Sequence, residues 1–147
     1  MISGALLIAS LAAMADNFDC AALSVGGRIF NVKPLDGSLA ALDAGSIEHP
    51  PSRDSYTLKL SICAALAVSA ELPAQDNCEK GAWACLIVTN HKGTPDAPRV
   101  TSALQISTVA PTLASDSNSN LSLSFGQGNK TAVITLSCKS KTLVFYC

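Results

Sequence analysis

Apolar and polar positions alternate along much of this chain, most cleanly from Ser55 to Cys63, where Tyr56, Leu58, Leu60 and Ile62 fall on one face and Thr57, Lys59 and Ser61 on the other. A period of two predicts a half-buried strand. The same period returns at Leu121, Leu123 and Phe125, separated by serines. Gly126-Gln127-Gly128-Asn129 then supplies a turn, and Thr131 to Cys138 forms a returning strand centred on Val133 to Leu136. Near the other end, Ala21 to Val25 and Arg28 to Val32 flank Gly26-Gly27, whose freedom to take positive φ predicts a hairpin, and Lys33-Pro34-Leu35-Asp36-Gly37 ends it. Ala82 to Thr89 is apolar and β-branched enough for another strand, and Val100 to Val109 is a weaker candidate. Between them Asn90 to Arg99, with Gly93, Pro95 and Pro98, reads as a turn. Ser38 to Arg53, weakly patterned and holding Pro50-Pro51, reads as a loop with one helical turn near residues 39 to 44. Ser115 to Asn120 reads as a polar loop with nothing to bury. The predicted fold class is all-β, an antiparallel β-sandwich or flattened barrel.

The chain opens differently. A nine-residue apolar run, Ala5 to Ala13, leads into Ala13-Met14-Ala15. That run is too short to cross a bilayer as a helix, and small residues at positions 13 and 15 satisfy signal peptidase, so residues 1–15 are expected to be a signal peptide cleaved after Ala15. The region before the run carries no Lys or Arg, which leaves a retained N-terminal anchor as the competing reading. Residues 16–147 then form one domain, expected to be luminal or extracellular.

All six cysteines, Cys20, Cys63, Cys78, Cys85, Cys138 and Cys147, follow the predicted cleavage site. In an oxidising compartment they imply three bridges. Fifteen pairings exist in principle; spacing favours Cys78 with Cys85 and Cys138 with Cys147, which leaves Cys20 with Cys63. By loop entropy a bridge closing about 44 residues is worth about 4 kcal/mol and one closing about 8 residues about 2.5 kcal/mol, so losing Cys20 or Cys63 should hurt most.

Ten basic residues against eleven acidic ones, with no Lys/Arg cluster, argue against a nucleic-acid partner. Neither His49 nor His91 stands at zinc-ligand spacing from a cysteine, so no metal and no cofactor is expected. No serine lies in G-x-S-x-G, and neither histidine has a nucleophile or acid nearby in sequence; both read as solvated loop side chains, and no catalytic residue is assigned. Gly126 to Thr131 lacks the Gly-Lys pair and following helix of a phosphate-binding loop. Trp83, two residues before Cys85, is expected to pack rather than to stack on a sugar. Two sequons, at Asn120 and Asn129, lie in or beside predicted turns and are expected glycosylation acceptors behind a signal peptide.

Four stretches carry a family resemblance: Cys20 through Leu35, Tyr56 through Cys63, Cys78-Glu79-Lys80-Gly81-Ala82-Trp83-Ala84-Cys85, and Leu121 through Cys138. Their order resembles the mannose 6-phosphate receptor homology domain, particularly that of the autophagy-related protein 27 family of single-span membrane proteins. The resemblance implies a lectin-like luminal module without enzymatic activity, acting in autophagy-linked vesicle trafficking and protein transport among Golgi, endosome and vacuole. It also implies a protein or glycoprotein partner in that lumen. Sugar-binding members place a Gln after the cysteine matched by Cys85, and here Leu86 stands there; an Arg opens the strand ending at Cys138, and Lys130 stands near that position. Lys130 is therefore the one candidate carbohydrate contact, keeping the charge without the planar two-pronged donor. None of the eight residues between Cys138 and Cys147 is acidic, so the family's Glu has no counterpart, and Tyr146 matches no family position firmly. These departures argue against mannose recognition.

Family members continue into further strands, a transmembrane helix and a cytoplasmic tail, so membrane attachment is implied by the resemblance, whereas Thr142 to Tyr146 is the last apolar run here and spans only five residues. The expectation is a C-terminally shortened module or a soluble product. The alternative reading is a secreted cysteine-rich structural or interaction protein without sugar binding; a secreted hydrolase is a third. Peptide mapping without reduction is expected to recover Cys138 linked to Cys147, and a Cys78 to Cys138 linkage would contradict both the spacing argument and the resemblance.

Overall fold

The computed structural model describes residues 18–37, 41–93, 97–115 and 120–137. The predicted signal peptide, Cys138 and Cys147 lie outside the described residues. The described chain is built from nine strands, β1 (Leu23–Val25), β2 (Arg28–Phe30), β3 (Leu42–His49), β4 (Ser52–Leu60), β5 (Ala84–His91), β6 (Arg99–Ser107), β7 (Thr112–Ser115), β8 (Leu121–Gln127) and β9 (Lys130–Leu136). Every pairing is antiparallel, in a β1-β2 hairpin, a four-stranded sheet ordered β3-β4-β5-β6 and a three-stranded sheet ordered β7-β8-β9. This is the all-β antiparallel sandwich that the alternation predicts.

The three-stranded sheet shows how the pattern becomes packing. Leu121, Leu123 and Phe125 on β8 face Leu136, Ile134 and Ala132 on β9, and all six are buried. The bulkiest of them, Phe125, sits opposite the smallest, Ala132, which keeps the layer even. Ser122 and Thr135, paired on the other face, share a 3.2 Å hydrogen bond between their hydroxyls. The core continues onto Leu58 and Leu60 at the end of β4, onto Ile62 just beyond it, onto Ala84 of β5, and onto Cys20, Leu23 and Val32 of the hairpin region.

A second, smaller cluster of Cys78, Ala82, Cys85 and Ile87 lies apart from that core, with Leu66, Val100 and Ala103 packed against it. It exists because β5 alternates buried residues to both sides: Ala84 joins the main core and Cys85 and Ile87 the smaller cluster. The Cys78–Cys85 disulfide closes the segment leading into β5. Cys20–Cys63 ties the chain ahead of β1 to the end of β4, reinforced by a 2.9 Å bond from the Val32 amide to the Cys20 carbonyl. Both bridges join the partners that spacing favours.

Trp83 holds the frame through its backbone, which accepts from the Ser61 amide at 3.0 Å and donates to the Ser107 carbonyl at 2.8 Å. Its ring meets Phe18 edge-on, with centroids 5.8 Å apart. The indole packs against the core.

Two expectations are corrected. Residues 42–49 of the expected loop are the strand β3, and Pro50-Pro51 lies in the turn to β4 rather than in a long irregular segment. No helical turn is present among residues 42–44, and residues 38–40 lie outside the described set. The pattern failed because β3 is an edge strand exposed along almost its whole length, so burial imposes no alternation, and Gly45 sits in a register shift between Asp43 and Ser46. The short β7 carried no strong signal either.

Gly126 and Gly128 both have positive φ, +86° and +67°, but in different surroundings. A Cβ at Gly126 would collide with the Lys130 carbonyl oxygen and lie 2.9 Å from that of Ile106, whereas at Gly128 it meets nothing within 4 Å. Gly128→Ala is expected to cost about 1–2 kcal/mol from backbone strain alone, and Gly126→Ala clearly more. Urea unfolding of the oxidised protein compares the two, and equal losses would contradict this packing.

Candidate functional site

The densest polar chemistry among the described residues gathers where β3 and β5 end and β4 begins, beside the Pro50-Pro51 turn. It arises from register: Arg53 pairs with His91, Asp54 with Asn90 and Ser55 with Thr89. Because neighbouring side chains in a strand point to opposite faces, this end carries separate polar groups on each side of the sheet.

On one face the Asn90 amide donates to Asp54 Oδ1 at 2.6 Å. His49, diagonal to Asp54 across β3 and β4, brings Nε2 within 3.9 Å of Asp54 Oδ2. His49 is mostly exposed, so that contact adds little to stability. On the opposite face Ser55 Oγ lies 2.8 Å from His91 Nε2 and 3.5 Å from the Thr89 carbonyl oxygen. Both histidines thus end strands and contact β4, where the sequence reading had them as solvated loop side chains. The missed signal was a pair of prolines between two polar stretches, which marks a hairpin as well as it marks a loop.

A Ser–His contact of this length is the geometry of a nucleophile and its base. Asp54 points to the other side and is engaged by Asn90 and His49, while Glu48, the carboxylate on this face, is separated from His91 by Arg53 on the strand between them, and the His91 ring contact described is to Ser55. Ser55 instead makes a polar tie across the strands. Beside it lies an open cleft of about 390 Å³ walled by the two prolines, Glu48, Arg53 and His91. A second cleft, of about 210 Å³, is lined by Asn90, Lys92, Ala97 and Arg99. Among the described residues no group of three or more His, Cys, Asp or Glu side chains is placed to hold a metal ion.

The positions matched to sugar contacts fall elsewhere. Leu86 is central in β5, paired with Leu58 on one side and Leu104 on the other, and packs against the main core. Lys130 is exposed at the start of β9, across the β8-β9 turn from Gln127. The two stand on different sheets, and neither lines the clefts above. Of the sequon asparagines, Asn129 is exposed in the β8-β9 turn, where Thr131 Oγ1 donates to the Gly128 carbonyl at 3.1 Å, and Asn120 is half-buried just ahead of β8. A third hollow, apolar and about 230 Å³, lies between β2 and the ends of β8 and β9. No helix among the described residues is long and apolar enough to cross a membrane.

Asp54→Ala removes the Asn90 bond from a partly exposed sheet end, with an expected cost of about 1 kcal/mol. Leu60→Ala in the core is expected to cost about 2–5 kcal/mol. Denaturation midpoints of the two variants check this ranking, and a larger loss at Asp54 would mark the polar end as structural.

Residues 4–146, nearly the whole chain, match the family described as autophagy-related protein 27. A search of the curated proteins gives no match, and neither does a search of the solved structures.

Proposed function

The chain belongs to the autophagy-related protein 27 family, and from that premise we propose that it is a luminal module of autophagy-linked vesicle trafficking and protein transport that works by binding a protein or glycoprotein partner rather than by catalysis. The family match over residues 4–146 is the observation that carries this reading. The disulfide frame supports a compartment of the secretory route, because such bridges persist where the medium is oxidising. Golgi, endosomal and vesicle membranes are the proposed address, with Asn129 at an exposed turn the better placed glycan acceptor of the two sequons.

A binding function without chemistry is supported by the Ser55–His91 contact, in which Arg53 stands between the histidine and Glu48, the carboxylate on that face. Mannose recognition is not part of the proposal. Leu86 offers no hydrogen-bonding group, and Lys130, exposed on the other sheet, is left as an isolated candidate.

Disrupting the gene in its own organism is expected to slow delivery of autophagic cargo, and re-expressing the intact protein to restore it; unchanged cargo flux would refute the trafficking reading. On a glycan array the purified protein is expected to show no mannose-specific binding. Strong mannose binding lost in Lys130→Ala would reinstate a lectin.

A further inference from the structure

We infer that the core-side face of the four-stranded sheet, at the end where β6 begins, docks an extended segment of a partner protein that carries an acidic residue close to apolar ones. Resting on the reading that the module works by binding a protein partner, this gives that partner a chemistry.

Register defines the surface. Tyr56 of β4 pairs with Val88 of β5, two residues along each strand from the Leu58–Leu86 pair, so both lie on the face that carries the main core. Ile47 pairs with Asp54 and Leu104 with Leu86, which adds the two outer strands to the same face. Cover thins out here. Ile47 and Leu104 are 50% and 45% exposed, Tyr56 and Val88 are half-buried, and Val88 packs against neither of the two core clusters described. A segment laid over them removes that apolar area from water.

Charge selects the occupant. Arg99 pairs with Asn90 and so stands on this face, and with Lys92 and Asn90 it lines the cleft of about 210 Å³. Neither cation makes an ion pair among the described residues. Asp54, the one carboxylate that the strand pairings place on this face among those residues, is taken up by Asn90 at 2.6 Å and by His49. The cleft is smaller than a typical small-molecule pocket of about 300–1,000 Å³ and has the size for one acidic side chain. From Arg99 to Leu104 along β6 is about 16 Å at about 3.3 Å per residue. About five extended residues therefore span from the cations to the apolar rows, with the acidic group paired in the cleft and the apolar side chains over Tyr56 and Val88.

The oxidised full chain, immobilised, is panned against a phage library of random dodecapeptides, and enriched sequences are synthesised for titration. The expected winners set Asp or Glu within about five residues of aliphatic or aromatic side chains, and they shift the ¹⁵N amide resonances of residues 86–92 and 99–104. Arg99→Glu is expected to weaken binding about tenfold, and a Lys in place of the peptide's acid to restore most of the loss in that variant. Lys92→Glu, at another exposed position, repeats the comparison if the first variant fails to fold. Winners without an acidic residue, unchanged affinity in both variants, resonance shifts confined to other strands, or a library with no winners would each overturn the inference. So would sedimentation showing a dimer that Arg99→Glu dissociates, because a second copy would then own this face. Cargo delivery after gene disruption decides the trafficking reading separately: slowed delivery without acidic winners overturns this surface alone.

Discussion

The three-stranded sheet has one apolar face, and the rest of the structure depends on covering it. Leu121, Leu123, Phe125, Ala132, Ile134 and Leu136 all point one way, while serines, threonines and Val133 point the other. A three-stranded sheet with one apolar face needs a partner layer to bury it. The cover comes from two places, the ends of β4 and β5 with Leu58, Leu60 and Ala84, and the β1-β2 hairpin with Leu23 and the following Val32. A hairpin of two three-residue strands is too small to stay on by itself. The Cys20–Cys63 bridge joins its base to the end of β4, the strand that supplies the other half of the cover. The disulfide thus fastens the smaller part of the cover to the larger.

That arrangement leaves the four-stranded sheet longer than the core beneath it. Only Leu58 and Leu60 of β4 are buried, and residues 52–57 are half-buried or exposed. Freed from packing, the far end tolerates hydrogen-bonding side chains on both faces, and that is where Asp54, Asn90, Ser55 and His91 collect. Each is satisfied by a partner on a neighbouring strand, which pins the register at an end where apolar burial does not. The same chemistry in the interior would have to be fully paired at much greater cost.

What was legible in the sequence follows the same division. Strands with one buried face, β4, β8 and β9, announced themselves by alternation, and the glycine hairpin and the two bridges described were readable from positive-φ chemistry and spacing. The edge strand β3 was not, because exposure on almost every residue removes the constraint that writes the pattern. The polar end was illegible for a related reason: Ser55 and His91 are 36 residues apart, and their contact depends on the β4-β5 register, which no local motif states. The matched positions Leu86 and Lys130 could be read as residues but not as places; only pairing shows one against the core and the other on a different sheet.

Leu86 also shows how a scaffold and a sugar contact place different demands on one position. This fold rests on alternation and crosslinks, which constrain residue class, whereas a sugar site rests on individual hydrogen-bonding groups. Between Leu58 and Leu104, position 86 is a packing position in this chain, and a leucine there strengthens the sheet that covers Phe125 and its neighbours. An amide in its place would have to find hydrogen bonds beside an apolar core or forgo them at a cost of about 1–3 kcal/mol. On packing alone, leucine is favoured at this position. The scaffold is therefore held by packing and crosslinks that make no use of the groups a sugar site would need at position 86.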